Sequence, residues 1–314
     1  MQKRKWIRRI VPALVFIVVL LVSILLFVSS RMLPGEAVER DAIPAGGGKT
    51  VMVGGFTLWY KLYGEDSSGT PVVVLPGGGG LSSDYMESSL TFLAESHPVL
   101  FFDPRGCGRS EIKPDLSHYS IPIFADEMEM VRQLFFGDRQ VILLTHSFGG
   151  IIAMQYAAEY TEQIEKLILI SSVDSDYKPK MTDSYIKAGL PPGNQFEANN
   201  WYIQNIDTFF GPYFADPSKI SIFGDTMTSF ATQQHVGTEK HDLSARLIDI
   251  NVPVLLLGGG NKEYPATPFA VSEKLYGLFP DAALEQFESS GHFLFAEESA
   301  RFQLVVRSFL AESR

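Results

Sequence analysis

The chain has 314 residues, of which 46% are hydrophobic and 20% charged, so it is long enough for one large globular domain with a substantial core. Acidic residues outnumber basic residues by 36 to 26, which gives a formal net charge of -10. Because no basic patch of the kind that binds phosphates stands out, nucleic acid is excluded as an expected partner.

The N-terminus combines a basic cluster with an uncharged apolar run, IVPALVFIVVLLVSILLFV, at residues 10–28. In a helix this run spans about 28 Å, close to the hydrocarbon thickness of a bilayer. A cleavable signal peptide is the alternative, but its apolar core is usually shorter and no A-x-A-like site follows here. We therefore predict that residues 1–30 form a cytoplasmic basic flank and one transmembrane helix in the cell membrane. Residues 31–314 are then extracytoplasmic.

Residues 31–50 are rich in glycine, proline and charge, and they are predicted to be a linker. From Val51 onward, strand-like and helix-like segments alternate. The segments on either side of Gly54-Gly55 predict a hairpin. Short apolar runs predict buried strands at 71–75, 99–103, 141–145, 166–170 and 252–257. Helices are predicted at about 83–95, 122–136, 148–160, 267–279 and 295–312.

This alternation predicts an α/β core, residues 51–176 and 249–314, built on a mostly parallel, doubly wound sheet. The pattern stops at residues 177–248, which are too long for a plain loop in a compact domain. This stretch is rich in aromatic residues, whose side chains need another surface of the protein to pack against. We interpret it as an inserted, largely helical cap.

Ser147 lies in the stretch LLTHSFGG, where an apolar run ends and a helix-like segment begins. A strand–turn–helix of this kind is typical of a nucleophile elbow, which holds a serine in a sharp turn above the sheet. The residues two before and two after the serine must be small, and here they are Thr145 and Gly149. Glycine is more usual at the first of these positions. Ser147 is predicted to be a nucleophile, and a structural serine is the alternative.

A glycine-rich loop, LPGGGG at residues 75–80, directly follows a predicted strand. Its backbone N–H groups can approach a substrate without obstruction by side chains. An oxyanion hole would use the N–H of Phe148 and one from this loop, which we assign to Gly78. The alternative of a phosphate-binding Walker loop is disfavoured, because the Lys-Ser/Thr pair that should follow is missing.

His292 is the predicted base, because it alone of six histidines lies beside a glycine in a loop before the last helix. The acid of such a triad should follow a late strand and precede the histidine in sequence. Glu263 is the one carboxylate in the loop after the strand at 252–257 and is our first candidate. Asp174 is the alternative.

These motifs, together with DPRGCGRS at residues 103–110, resemble the proline iminopeptidase-like group of the α/β-hydrolase superfamily over residues 51–312. The resemblance implies the α/β-hydrolase fold, with no metal and no organic cofactor. It implies these roles: nucleophile Ser147, base His292, acid Glu263, and oxyanion donors Gly78 and Phe148. In that group the oxyanion loop typically is His-Gly-Gly-Pro-Gly, and a tryptophan follows the serine. Both features differ here.

The resemblance implies a serine hydrolase that acts through an acyl-enzyme on a small molecule or short peptide. The first expectation is an aminopeptidase that releases N-terminal proline. A carboxylic-ester hydrolase is the alternative. A non-catalytic binding protein on the same fold is the alternative from another class.

Overall fold

The computed structural model describes residues 37–38, 47–113, 116–177, 201, 204–228 and 241–312. The strands within these residues are β1 (Ala37–Val38), β2 (Lys49–Val53), β3 (Phe56–Tyr63), β4 (Val72–Leu75), β5 (Val99–Phe102), β6 (Val141–His146), β7 (Ile164–Ile170), β8 (Val254–Gly259) and β9 (Ala282–Phe287). They form one sheet in the order β1-β2-β3-β5-β4-β6-β7-β8-β9. Strands β4 to β9 are parallel, whereas β1, β2 and β3 continue the sheet as antiparallel strands. The mostly parallel sheet predicted from the sequence is confirmed.

The α-helices of the described residues are α1 (Glu87–Leu90), α2 (Ile121–Phe136), α3 (Gly149–Glu159), α4 (Ile206–Phe210), α5 (Ser244–Leu247), α6 (Phe269–Tyr276), α7 (Leu294–Glu297) and α8 (Ser299–Ala311). Short 3₁₀ helices lie at Ser83–Met86, Thr91–Glu95, Leu116–His118, Thr161–Gln163, Gly211–Tyr213 and Pro217–Phe223. The helix predicted at about 83–95 is thus a single α-turn between two 3₁₀ segments. The one predicted at 295–312 is divided into α7 and α8.

Alternate residues of each central strand enter two separate hydrophobic cores, one on each face of the sheet. On β4, Val73 and Leu75 join helices α2, α3 and α6 in the first core. Val72 and Val74 join α1, α7 and α8 in the second. Burial on both faces explains why these strands are continuous apolar runs in the sequence. Each fully buried aliphatic side chain contributes about 1.5–3 kcal/mol.

The predicted hairpin is confirmed, with β2 and β3 joined by Gly54 and Gly55 at φ of 54° and 80°. Both values lie in the left-handed region that glycine adopts without strain. The sheet also reaches into the predicted linker, because Ala37 pairs with Val51 and β2 already begins at Lys49.

The predicted cap lies partly outside the described residues. Within 204–228 the chain forms α4 and two 3₁₀ helices, and the second core contains Phe209, Phe210 and Phe214 from this stretch. From residue 241 the chain packs against the first core through Leu243 and Leu247. The predicted transmembrane helix, residues 10–28, lies outside the described residues, and no helix among those described has the length and apolarity to cross a bilayer.

Lys166 on β7 is buried, and its ammonium group binds the end of the last helix. Its Nζ donates to the carbonyls of Phe309, Leu310 and Glu312 at 2.9, 3.0 and 2.7 Å. The last carbonyls of a helix have no intrahelical partner, so a lysine here caps α8 and ties it to the sheet.

We expect Lys166→Met to lower the free energy of unfolding by about 1–3 kcal/mol, the cost of leaving buried polar groups unpaired. Urea unfolding followed by circular dichroism measures this change. The matched control is Lys262→Met, because Lys262 is exposed. Equal stability of the two variants would show that Lys166 does not cap the helix.

Candidate active site

Ser147 lies at the bend between β6 and α3, in a backbone conformation that side chains rarely adopt. Its φ is 53°, in the left-handed region. The bend is held by the Ser147 N–H, which donates to the Ile170 carbonyl at 2.9 Å, and by the Val173 N–H, which donates to the Ser147 carbonyl at 3.2 Å. A strained residue held in place by its surroundings is characteristic of a functional site.

The small residues around the serine are required by close backbone contacts. A Cβ on Gly149 would lie 2.7 Å from the Pro76 carbonyl oxygen. Thr145, where a glycine is more usual, is fully buried within β6. Its hydroxyl lies 3.5 Å from the Ile168 carbonyl. The sheet therefore accommodates this side chain without loss of the bend.

The glycine-rich loop after β4 packs directly against the serine. A Cβ on Gly77 would lie 2.9 Å from the Cβ of Ser147, and Gly78 has a φ of 78°. Phe148 lies at the N-terminal end of α3, where the first N–H groups of a helix lack intrahelical partners. The loop and the helix start thus meet at Ser147, as an oxyanion hole requires.

The turn at residues 103–110 contacts this glycine-rich loop and helps to fix its conformation. Asp103 is fully buried, and its carboxylate accepts from the N–H groups of Ser83 and Arg109 at 2.7 and 2.9 Å. Burial raises the pKa of Asp103 to about 7. The Gly108 N–H donates to the Gly80 carbonyl at 2.9 Å. The glycine-rich loop at residues 75–80 and the turn at residues 103–110 therefore hold each other in one conformation.

His292 is held in the loop between β9 and α7 by its main chain and its ring. Its N–H donates to the Tyr213 carbonyl at 2.9 Å. The preceding Gly291 N–H donates to the Glu297 carboxylate at 2.8 Å. The imidazole is buried, with Nδ1 at 2.9 Å from the hydroxyl of Thr267.

One small cavity, of about 70 Å³, brings four of the predicted residues together. It is lined by Ser147, His292, Gly78 and Phe148. The rest of its wall is mostly aromatic and includes Tyr177, Phe210, Tyr264 and Phe293. Ser147 Oγ has no hydrogen bond to His292 or to another described residue. Catalytic hydrogen bonds are often long before substrate binds.

The family profile described as the alpha/beta hydrolase fold matches residues 70–218 of this chain. A proline iminopeptidase of Thermoplasma volcanium is 37% identical over 288 residues, which cover 84% of this chain and 96% of that protein. The chain belongs to the α/β-hydrolase superfamily, in its proline iminopeptidase-like group.

A second peptidase relative and a solved esterase structure are also similar to this α/β-hydrolase. A proline iminopeptidase of Saccharolobus solfataricus is 28% identical over 281 residues, covering 82% of this chain and 89% of that protein. The solved structure of an esterase from Exiguobacterium antarcticum superposes with a TM-score of 0.66 at 24% identity, covering 84% and 99% of the two chains. At that identity the likeness shows the fold alone. The family profile and the proline iminopeptidase relatives together identify the protein as a hydrolase enzyme.

The predicted acid of this α/β-hydrolase does not contact the histidine. Glu263 is exposed, and its carboxylate accepts the N–H of Phe269 at 2.8 Å, which caps the start of α6. The alternative, Asp174, is paired with Lys274 at 2.8 Å. The structure therefore does not bring Glu263 to His292, because the carboxylate is engaged by a helix N-terminus instead, and its role as the acid stays a prediction.

Thr267 is the residue that the sequence analysis missed. Its hydroxyl takes the position beside His292 Nδ1 where a triad has its carboxylate. When Nδ1–H donates to this hydroxyl, Nε2 keeps the lone pair that accepts a proton. A hydroxyl fixes the tautomer as a carboxylate does, but it supplies no negative charge to an imidazolium. A threonine before a proline and a helix carries no sequence signal for such a role.

We expect Thr267→Val to lower kcat/KM by about 10-fold or more, because a buried N–H left unpaired costs about 1–3 kcal/mol. Glu263→Gln is the matched control. Its amide oxygen can still cap α6, so activity should stay within about twofold of wild type. Steady-state kinetics on one ester substrate measure both variants. A 100-fold loss in Glu263→Gln, with Thr267→Val unaffected, would restore Glu263 as the acid.

The pH dependence of this α/β-hydrolase should reflect a histidine that stays neutral in acid. Burial, and then the facing ring of His146, hold the pKa of His292 well below its usual 6.5. Only the neutral imidazole accepts the serine proton, so kcat/KM should stay constant as the pH falls through 6.5 and decline only below it. A pH–rate profile tests this, and an acid limb centred at 6.5 or above would contradict it.

In the described part of the chain, no three His, Cys, Asp or Glu side chains come together as ligands for a metal ion. Cys107, the one cysteine of the sequence, is buried in the turn at residues 103–110.

Proposed function

We propose that this protein hydrolyses acyl compounds through an acyl-enzyme on Ser147, and that short peptides with an N-terminal proline are its first substrate class. The observation that carries the proposal is the shared cavity. Ser147, on a left-handed bend, lines this cavity with His292 and with both candidate oxyanion donors, which supports the proposal. A nucleophile, a base and N–H donors at one point are the parts that acyl transfer needs.

In the proposed reaction, Ser147 Oγ attacks the substrate carbonyl carbon while His292 Nε2 accepts the serine proton. The N–H groups of Phe148 and Gly78 stabilise the negative charge on the carbonyl oxygen. The imidazolium then gives its proton to the leaving group, and an ester of Ser147 remains. Water, deprotonated by the same nitrogen, releases the acid and restores the serine. Thr267 holds the imidazole in the required tautomer throughout.

The peptide assignment is supported by the relatives, because those at 37% and 28% identity are named proline iminopeptidases. The aromatic wall of the cavity suits the apolar ring of a proline residue. The departures in the oxyanion loop and at Phe148 leave the serine chemistry intact, since both positions supply main-chain groups.

A carboxylic-ester hydrolase is the second candidate, and Thr267 favours it. The amine of an amide leaves only after it has been protonated, so amide cleavage depends on the imidazolium. Without a carboxylate beside Nδ1, that cation is less stable, and the burial of His292 lowers its pKa further. An alkoxide or phenoxide leaves more readily, so ester cleavage depends less on this proton.

A substrate panel separates the two candidates. It contains proline arylamide, the arylamides of alanine and leucine, and short-chain aryl esters, with Ser147→Ala as the control. Turnover of proline arylamide that is lost in the control supports the peptidase. Turnover of esters alone overturns the peptidase and supports the esterase. Turnover of none of these substrates contradicts both.

The variant Thr267→Asp adds a decisive comparison. It places a carboxylate beside His292 Nδ1, where it stabilises the imidazolium. If the missing charge limits amide cleavage, the ratio of arylamide to ester turnover should rise in this variant by about 10-fold or more, the equivalent of one pKa unit. An unchanged ratio would remove the argument for esters.

We also propose that the protein is anchored in the cell membrane by residues 10–28, with its catalytic domain outside the cytoplasm. The uncharged apolar run and the basic residues before it support this proposal. The full chain should remain in the membrane fraction after a carbonate wash, and external protease should reach its catalytic domain in intact cells. Release by carbonate would contradict the anchor.

A further inference from the structure

His146, the residue before the nucleophile, has both ring nitrogens engaged. Its Nδ1 lies 2.7 Å from the hydroxyl of Tyr85, and its Nε2 lies 3.1 Å from the main-chain carbonyl of His292. The ring is buried, and its centroid lies 4.5 Å from that of His292. His146 is therefore in contact with the predicted base, while both its ring nitrogens bond to residues other than Ser147.

The partners of His146 determine which nitrogen carries the proton. Nε2 faces a carbonyl oxygen, so it must be an N–H donor. Burial lowers the pKa of His146 to about 3, so the ring is neutral and Nδ1 is an acceptor. Tyr85 then donates its hydroxyl proton to Nδ1. No lone pair of His146 remains to act as a base toward the serine.

Tyr85 continues this set of hydrogen bonds to the glycine-rich loop. Its hydroxyl oxygen accepts the N–H of Gly77 at 2.8 Å, and the side chain is fully buried. The bonds run from Gly77 through Tyr85 and His146 to the main chain of His292. They join three segments that are distant in sequence, since Tyr85 and His146 are 61 residues apart and His146 and His292 are 146 apart.

Each joined segment carries one part of the proposed reaction. Gly77 precedes the oxyanion donor Gly78, His146 precedes Ser147, and the His292 carbonyl belongs to the base itself. Aromatic rings fill the space around the bonds, with Phe223 stacked on Tyr85 and Phe293 tilted against His146 at centroid distances of 5.3 Å each. Movement of one segment relative to the others would break a buried hydrogen bond, which is costly.

We propose that Tyr85 and His146 are positioning residues that hold the oxyanion loop, the serine and the base in fixed positions relative to one another. The inference rests on the proposed acyl-enzyme function and assigns to this pair the alignment of its three parts. Alignment matters because a displacement of about 1 Å in a catalytic group can cost on the order of 100-fold in rate. In this role both residues act through the segments that they join, although the ring of His146 also lines the cavity.

The test is Tyr85→Phe, which keeps the ring and removes both hydrogen bonds. The matched control is Tyr119→Phe, since Tyr119 is also fully buried and its hydroxyl bonds to the main chain of Lys113, away from the site. The measurements are the rate of Ser147 modification by a fluorophosphonate, kcat and KM on an aryl ester, and the melting temperature.

We expect Tyr85→Phe to lower kcat and the rate of modification by about 10- to 100-fold, with KM little changed. Tyr119→Phe should lose only thermal stability. If Tyr85→Phe retains the wild-type rate of modification in its folded form, the positioning role is overturned. If wild type itself is not modified, the proposed function fails instead, so the two failures are distinguishable.

A second variant keeps the proposal falsifiable if Tyr85→Phe folds poorly. His146→Asn retains an acceptor for Tyr85 but loses the bond to His292. With Tyr85 in place, His146→Asn should lower the rate of Ser147 modification by about 10-fold or more, with KM little changed. A folded His146→Asn protein that is modified at the wild-type rate would overturn the proposal.

Discussion

Replacement of Ser147 by alanine should lower kcat by about 10³- to 10⁶-fold on every substrate that the wild type hydrolyses, as expected for loss of a catalytic nucleophile. The cause is chemical, because alanine offers no atom that can form the acyl-enzyme. The fold should be unaffected, since both residues carry a Cβ at the same left-handed φ of 53°. Steady-state kinetics and a thermal melt measure the two effects separately.

The control for this variant is Ser171→Ala. Ser171 is also a buried serine with a left-handed backbone, at a φ of 42°, and it directly follows β7. Its hydroxyl has no hydrogen-bond partner among the residues that the structure describes, so its removal should leave activity near the wild-type level. Retention of full activity by Ser147→Ala would favour a structural serine, and loss in both variants would point to a general effect of serine removal on these bends.

Replacement of His292 by glutamine should lower kcat by about 10³-fold or more, because the side chain can no longer accept the serine proton. The loss should affect esters and arylamides alike, since both require the same attack. Binding of a fluorophosphonate should still occur, but the covalent step should slow in parallel. Rapid kinetics of modification and steady-state hydrolysis measure this pair of effects.

His97→Gln serves as its control, because His97 is the histidine whose Nδ1 lies 2.8 Å from the Thr70 carbonyl before β4. At this position it is remote in the sheet from Ser147, which follows the other end of the parallel strands. Addition of free imidazole to His292→Ala gives a further check. Imidazole should restore part of the activity if the role of the side chain is proton transfer. That role would be contradicted if imidazole restored no activity to His292→Ala and His292→Gln hydrolysed substrate at the wild-type rate.

The sequence was most informative where one physical pattern determined the structure. Runs such as Val72–Leu75 are apolar because both faces of the central strands are buried, and this makes them recognisable without any long-range information. The bend at Ser147 was predictable for a similar reason, since small residues and glycines around a serine have few other causes.

The acid could not be predicted, because it depends on how a loop folds between β8 and α6. Glu263 lies in the expected loop, but a carboxylate close before a helix can also accept a helix N–H, and it does so here. Thr267 occupies the place beside His292 through the same loop conformation. The sequence shows how many residues separate Glu263 or Thr267 from His292. It does not show which of the two side chains points toward the imidazole, because that depends on how the loop folds.

The contacts of Tyr85 and His146 were beyond prediction for a different reason. They link residues from three segments whose proximity is produced by the whole sheet. A histidine directly before the serine was visible in the sequence, but its partners were not. The predicted anchor at residues 1–30 and much of the predicted cap lie outside the described residues, so those predictions stand as they were made.

The most direct test of the account is reaction of the full chain with a fluorophosphonate, followed by mass spectrometry of the peptides. We expect one covalent phosphonate per chain, located on Ser147, absent in Ser147→Ala and formed at a much lower rate in His292→Gln. A folded wild-type protein that remains unmodified, or that carries the phosphonate on another residue, would contradict a serine hydrolase built on Ser147 and would favour a binding protein on the same fold.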